Sequence, residues 1–105
     1  MQLDHLTLPQ LVAMPNGVPL YTLDGGNKGV VRLDVLFKGG YAVQSKPLLA
    51  MFTNRMLREG TAALTAAEIS RRLDYYGAWI DTYSSQNCNH ITLCAISKHL
   101  VPLLE

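Results

Sequence analysis

Hydrophobic and polar residues alternate most regularly between Val30 and Lys38. Alternation with a period of two predicts a β-strand, with one face directed towards a core. The residues expected on that face are Val31, Leu33, Val35 and Phe37, with Arg32, Asp34 and Leu36 on the other. A shorter alternating stretch at Trp79–Ser84 predicts a second strand. Residues 85–89 form the predicted turn into a return strand over residues 90–96.

The first third of the chain is less regular. Residues 6–14 contain Pro9 and predict an irregular lead-in with a short edge strand. Residues 15–17, Pro-Asn-Gly, are a strong turn signal, and a strand over residues 18–23 follows. Residues 24–29 contain three glycines and no apolar side chain, which predicts a loop.

Apolar residues recur at helical spacing between residues 48 and 60. Leu49, Phe52 and Met56 form one stripe, so an amphipathic helix is predicted. Pro47 stands before its first turn, where a missing N–H costs nothing. Gly60 stands where a left-handed residue would end the helix.

Two more helices are predicted towards the C-terminus. Thr65 and Glu68 form a capping box, and Gly77 marks the end of the helix that follows. One face of that helix carries Ala66, Ile69, Leu73 and Tyr76. Ser97 is the expected cap of a final helix with an apolar stripe of Leu100, Leu103 and Leu104.

Composition and charge exclude several classes of function. The chain of 105 residues predicts one domain, residues 1–105, and its 49% hydrophobic residues are ordinary for a globular protein. Nine basic and eight acidic residues give no electrostatic reason to expect nucleic acid or an acidic membrane as a partner. No apolar run is long enough to span a bilayer, and the N-terminus lacks the pattern of a secretory signal. Localisation therefore stays unknown.

The stretch over residues 49–61 resembles the active-site helix of the pitrilysin/insulinase (M16) zinc peptidases, whose pattern is roughly L-A-H-x-x-E-H-M-L-x-x-G-T. The residues around the motif's histidine and glutamate positions match the pattern. Leu-Ala precedes these positions, Met-Leu follows them, and Gly-Thr ends the stretch. The residues at the two histidine positions and the glutamate position differ from the family's pattern. Met51 and Arg55 stand where the family has its zinc-binding histidines, and Asn54 stands in place of the glutamate.

These substitutions change what the helix can do. In the family's inverted motif two imidazoles hold zinc, and the carboxylate is the general base for the metal-bound water. The Met51 thioether is a poor zinc ligand, the Arg55 guanidinium has no lone pair to donate, and the Asn54 amide cannot accept a proton from water. The resemblance therefore implies a helix without zinc or catalytic residues, and no cofactor is expected.

A second resemblance lies at residues 76–84, which are similar to the family's G-G-x-x-N-A-x-T segment. In the family that strand borders the active-site cleft and pairs with extended peptide. Asp81, Thr82 and Tyr83 stand at the middle of the match and are the candidate peptide-binding residues. The early hairpin is likewise similar to the one that starts the family's sheet.

The resemblance implies an α+β fold, with a mixed, mostly antiparallel sheet and helices packed on one face. This is the M16 or LuxS-like metallohydrolase half-domain, here truncated to its N-terminal portion. The implied partners are an active subunit of the family or the missing remainder of the same chain, together with extended peptide.

Three functional hypotheses follow from the sequence. The first is a non-catalytic member of the family, or a fragment of one, that binds peptide and pairs with an active subunit. The second is an active zinc peptidase whose ligands have shifted to His90 or His99. The third is a structural α+β module that self-associates through apolar surface. The sequence does not settle whether Cys88 and Cys94 are bonded.

Overall fold

The computed structural model describes residues 7–26 and 29–105. It is an α+β fold of antiparallel sheets and helices, as predicted. The elements are β1 (Gln10–Ala13), β2 (Pro19–Thr22), β3 (Val30–Lys38), α1 (Leu49–Met56), α2 (Ala66–Tyr76), β4 (Trp79–Ser84), β5 (Cys88–Ile96), a 3-10 turn (Ser97–His99) and α3 (Leu100–Leu104). His5 lies outside the described residues.

The main sheet has three antiparallel strands in the order β3-β5-β4. The predicted bounds of β3 and β4 are confirmed. β5 begins at Cys88, two residues before the prediction, because the loop between β4 and β5 is shorter than expected. Cys88 therefore lies in a strand, and it and Cys94 are both free thiols.

The early hairpin does not join this sheet within the described residues. β1 and β2 pair with each other as a separate two-stranded ribbon. The turn predicted at residues 15–17 is present, with the Gly17 N–H bonded to the Met14 carbonyl. The expectation that the hairpin starts the main sheet is therefore wrong, because its pairing is satisfied locally.

The hydrophobic core lies between one face of the main sheet and helices α2 and α3. Ala78, Leu93 and Ala95 are its buried members. The half-buried residues packed against them are Val31, Leu33, Leu73, Tyr76, Ile80, Leu100 and Leu103. The predicted core face of β3 is thus covered at only one end, since Val35 and Phe37 are exposed.

Helix α2 has the start and end that its sequence predicts. The Thr65 hydroxyl accepts the Glu68 N–H, and the Glu68 carboxylate accepts the Thr65 N–H at 2.7 Å. The backbone hydrogen bond from Thr65, helped by its hydroxyl, lowers the pKa of Glu68 from its ordinary value. Gly77 ends the helix in the left-handed conformation, with φ of 62°.

Helix α1 differs from its prediction in both length and orientation. It ends at Met56, and the next residues continue in a tighter turn, with the Glu59 N–H bonded to the Met56 carbonyl. Gly60 has a positive φ of 136°, as expected, but it lies beyond the end of α1 and forms an isolated bridge with Thr65, so it does not cap the helix.

The apolar stripe of α1 faces outward. Phe52 is 55% and Met56 59% exposed, and Leu49 is exposed as well. The buried side of the helix is formed instead by Ala50 and Asn54. Periodicity located the stripe correctly but not the side of the helix that packs, because that depends on contacts with distant strands.

The predicted cap of the last helix is also wrong. The Ser97 side chain makes no capping hydrogen bond, and the 3-10 turn that begins there leads directly into α3. Pro102 lies in the first turn of α3, as expected. No helix in the described part of the chain is long and apolar enough to cross a membrane.

Candidate functional site

Helix α1 is fastened to the main sheet by the side chain of Asn54, which is only 2% exposed. Its amide nitrogen donates to the Tyr83 carbonyl at 2.9 Å and to the His90 carbonyl at 3.1 Å. These carbonyls belong to β4 and β5, at a position where the two strands pair. One side chain thus connects the helix to both strands.

The Asn54 side-chain oxygen, Oδ1, is buried without a hydrogen-bond partner among the described residues. An unpaired buried oxygen is costly, by about 1–3 kcal/mol. The two bonds from the amide nitrogen, together with the packing of Ala50, must offset that cost for the helix to stay in place. Asn54 therefore has a structural role that its position in the motif does not reveal.

β4 is an edge strand, because it pairs only with β5 among the residues the structure describes. The Ser85 N–H bonds to the Cys88 carbonyl, which sets the alternation of hydrogen-bonded pairs along the hairpin. By that alternation Tyr83 bonds to His90 of β5, while the N–H and C=O groups of Thr82 and Ser84 point away from β5. We call this outward side of β4 the free edge.

One outward group on the free edge has a partner within the chain. The Thr82 N–H donates to the Asp81 carboxylate at 2.9 Å. Charged side chains at sheet edges commonly discourage pairing with other strands. A strand that added to β4 would have to displace the Asp81 carboxylate from this N–H group.

A first cavity, of about 430 Å³, lies between α1 and the end of β4. Its lining is a mixture of apolar, neutral polar and one cationic side chain. The lining residues are Tyr41, Gln44, Leu48, Met51, Asn54, Arg55, Thr82, Tyr83 and Ser84. It therefore joins the degenerate motif to the free edge.

A second cavity, of about 460 Å³, lies between α1, α2 and β4. Arg55 and Thr82 line both cavities, so they form the wall between them. The second cavity is mixed in charge, with Arg55 and Arg58 beside Glu59 and Asp81.

The loop before α1 is held against the hairpin that joins β4 and β5. The Tyr41 N–H bonds to the Ser85 carbonyl and the Ala42 N–H to the Gln86 carbonyl. Gly40 is buried there, and an added Cβ would overlap the Ser85 carbonyl oxygen and lie 2.6 Å from the Cys88 nitrogen. Only glycine allows so close an approach of two backbones.

The same loop supports the start of α1. Leu48 precedes the helix in a left-handed conformation, with φ of 67°, and supplies no side-chain cap. The Gln44 side-chain oxygen instead accepts the Ala50 N–H at 3.2 Å. Sequence reasoning missed this cap, because the acceptor lies six positions before its donor.

Met51, Asn54 and Arg55 do not fit a zinc site. The Asn54 amide donates to two carbonyls of the sheet, the guanidinium of Arg55 has no lone pair, and Met51 offers only a thioether. No cluster of three His, Cys, Asp or Glu side chains that could hold a metal occurs over residues 7–26 and 29–105.

The two described histidines contact aromatic rings rather than each other. The His90 ring lies 4.7 Å from that of Tyr83, and the His99 ring 5.2 Å from that of Tyr76. The Ser85 hydroxyl lies 3.3 Å from His90 Nε2, but it also accepts the Cys88 N–H and donates to the Cys88 carbonyl. These bonds show that the Ser85 hydroxyl stabilises the turn between β4 and β5.

The face of the sheet opposite the core carries an ion pair. The Arg32 guanidinium lies 2.9 Å from the Asp34 carboxylate, which also accepts the Thr92 hydroxyl at 2.6 Å. Hydrogen bonds from Arg32 and then from Thr92 lower the pKa of Asp34. Since both charged side chains are largely exposed, the pair adds little to stability.

Of the predicted peptide-binding residues, Thr82 and Tyr83 line the first cavity and Asp81 the second. The three are consecutive on β4 and alternate between the two faces of the sheet. Whether they bind peptide stays a prediction.

Comparison with known proteins shows a likeness to a solved structure. No protein-family model and no curated protein matches the chain. The solved structure of a protease from Helicobacter pylori superposes with a TM-score of 0.84 over 96% of this chain, at 22% sequence identity. The chain spans 25% of that protease's length. At this identity the likeness establishes the fold, which this chain has in common with part of a protease.

Proposed function

We propose that this chain is a non-catalytic homologue of the pitrilysin/insulinase family, or the N-terminal portion of one, and that it binds extended peptide along the free edge of β4. The observation that carries the proposal is the position of that edge. The outward backbone groups of Thr82 and Ser84 border the first cavity, directly beside α1.

Two independent features support membership of the family. The motif frame around α1 keeps its Leu-Ala, Met-Leu and Gly-Thr positions. The fold is also that of part of a protease. A shared fold does not imply a shared activity, so the chemistry has to be argued from the site itself.

The site favours binding over catalysis. A metal-dependent peptidase needs ligands for the ion and a base for the attacking water. Met51, Asn54 and Arg55 supply neither. A strand edge, in contrast, binds extended peptide through main-chain hydrogen bonds, and neighbouring pockets select its side chains.

We further propose that the outward stripe of α1 contacts either the remainder of a longer chain or an active subunit. Phe52 and Met56 are more than half exposed on the same side of the helix. The chain spans a quarter of the similar protease, which is consistent with a larger assembly around it. Copurification with a subunit carrying an intact H-x-x-E-H motif would support the pairing, and light scattering would distinguish it from self-association.

The peptide hypothesis is tested with two end-blocked peptides that alternate apolar and polar residues. One carries N-methyl groups on the apolar residues and the other on the polar residues. Strand addition uses the N–H groups of every second residue. Calorimetry should therefore detect binding of one peptide and no binding of the other. Equal binding of both, or of neither, would contradict edge addition.

Zinc analysis of protein purified without chelator separates this proposal from the active-peptidase hypothesis. We expect no stoichiometric zinc, because the residues at the ligand positions cannot hold it. One equivalent of zinc, lost on replacing His90 or His99, would instead favour an active enzyme with shifted ligands.

A further inference from the structure

Arg55 is the single charged side chain in the lining of the first cavity. The other polar side chains of the lining are neutral, namely those of Tyr41, Gln44, Asn54, Thr82, Tyr83 and Ser84. Since no anion lines this cavity, Arg55 gives it a positive potential, which solvent weakens because the side chain is exposed.

Among residues 7–26 and 29–105, Arg55 makes no ion pair, not even with Glu59, which lines the second cavity beside it. The one ion pair in the described part of the chain joins Arg32 to Asp34, on the opposite face of the sheet. Asp81 lines the second cavity rather than the first, and its carboxylate accepts the Thr82 N–H. The guanidinium is therefore available to a ligand.

Arg55 also stands at the right place to meet a peptide. Thr82, whose backbone groups face outward on the free edge, lines the same cavity as Arg55. Alternate side chains of a strand added to β4 would point to the helix side of the sheet, into this cavity. A carboxylate there would meet the guanidinium, whose planar fork binds carboxylates through two hydrogen bonds.

We infer that the first cavity selects ligands carrying a carboxylate, bound by Arg55. This inference rests on the proposed peptide-binding function and adds the chemical class of the ligand. The carboxylate comes either from an acidic side chain or from the C-terminus of the peptide. Both sources present the same chemistry to Arg55.

The test uses three extended peptides of equal length. The first is end-blocked and carries one glutamate. It is made as a set in which the glutamate occupies each central position in turn. The second carries glutamine instead, and the third is the glutamine peptide with a free C-terminal carboxylate. We expect the best carboxylate peptide to bind about twofold to fivefold more tightly than the blocked glutamine peptide, as for an exposed ion pair.

Variants assign the preference to Arg55. In Arg55→Gln the ratio of affinities should fall to about one, while Arg55→Lys should keep part of it, because it retains the charge but loses the fork. Arg71→Gln removes the same charge from an exposed position on α2 that lines neither cavity, and it should keep the full ratio. Thermal melting curves check that the variants are folded.

The outcomes separate the inference from the function on which it rests. If none of the peptides binds, peptide binding itself is wrong and the inference falls with it. If all three bind equally, or if the preference survives in Arg55→Gln, only the carboxylate inference is overturned. A preference for the glutamate peptide or for the free C-terminus, lost in Arg55→Gln, supports it and identifies the source.

Discussion

Helices α1 and α2 are built in opposite ways. α2 has a reciprocal capping box, a left-handed glycine at its end, and two apolar residues, Leu73 and Tyr76, half-buried against the core. α1 follows a left-handed leucine, has no side-chain cap on its first residue, and exposes its large apolar residues. Its buried side consists of one alanine and one asparagine.

The two helices therefore obtain their stability from different parts of the chain. The local sequence of α2 specifies both its ends and its packing face. α1 depends on contacts from distant parts of the chain, namely the bonds of Asn54 to β4 and β5 and the bond of Gln44 to Ala50. A helix placed by such contacts can leave a cavity beside the strand edge it borders.

The largest effect should follow from Asn54→Ala. It removes both bonds from α1 to the sheet and leaves a gap under the helix, so we expect the free energy of unfolding to fall by about 2–3 kcal/mol. Urea denaturation measures it. Thr53→Ala, on the exposed side of the same helix, should change it by less than about 0.5 kcal/mol. Equal effects of the two changes would mean that Asn54 does not anchor α1.

Gly40→Ala should be next in size. The new methyl group would overlap the backbone of the hairpin at Ser85, forcing the loop before α1 away from it. We expect a loss of about 1–3 kcal/mol in the free energy of unfolding. Gly25→Ala, where an added Cβ meets nothing within 4 Å, is the matched control. A stable Gly40→Ala protein would contradict the close approach of the two backbones.

Thr65→Ala breaks the capping box of α2 and should cost about 1 kcal/mol, because it leaves the Glu68 N–H without its acceptor. Thr65→Ser keeps the hydroxyl and should restore most of the loss. Thermal unfolding followed by circular dichroism measures both. If alanine and serine behaved alike, the hydroxyl bond would have no energetic role.

Asp81→Ala should tighten binding of an extended peptide by about twofold to fivefold, because the Thr82 N–H is then released from its internal acceptor. Asp81→Asn keeps a side-chain oxygen as acceptor and should bind as the unaltered chain does. Calorimetry with an uncharged, end-blocked peptide avoids a direct charge effect. Weaker binding by the alanine variant would show that Asp81 contributes to the site instead of guarding its edge.

The smallest effect concerns pH. The folded-state pKa of Glu68 lies below its ordinary value of 4.5, so its contribution to stability is present above that pH and is lost as pH falls through the folded pKa. Glu68→Gln should therefore be less stable than the unaltered chain near pH 6, with the difference vanishing in acid. Urea titrations at a series of pH values measure this. A difference that persisted in acid would indicate a cause other than the carboxylate.

The sequence predicted those elements whose signals are local. Strict alternation located β3 and β4, and capping residues located α2. It could not predict which side of α1 packs, because Asn54 contacts residues 29 and 36 positions away. The close approach at Gly40 likewise depends on contacts with the distant hairpin between β4 and β5. The motif indicated residues near the site. Only the structure showed that Arg55 lies between the two cavities.

Peptide binding at the free edge is tested by amide hydrogen exchange along β4, measured by NMR with and without saturating extended peptide. Edge addition predicts slower exchange at Thr82 and Ser84, whose N–H groups face outward, and little change at Asp81 and Tyr83, which already pair with β5. Exchange that slowed on β3 instead, or at none of these residues, would contradict peptide binding at the free edge.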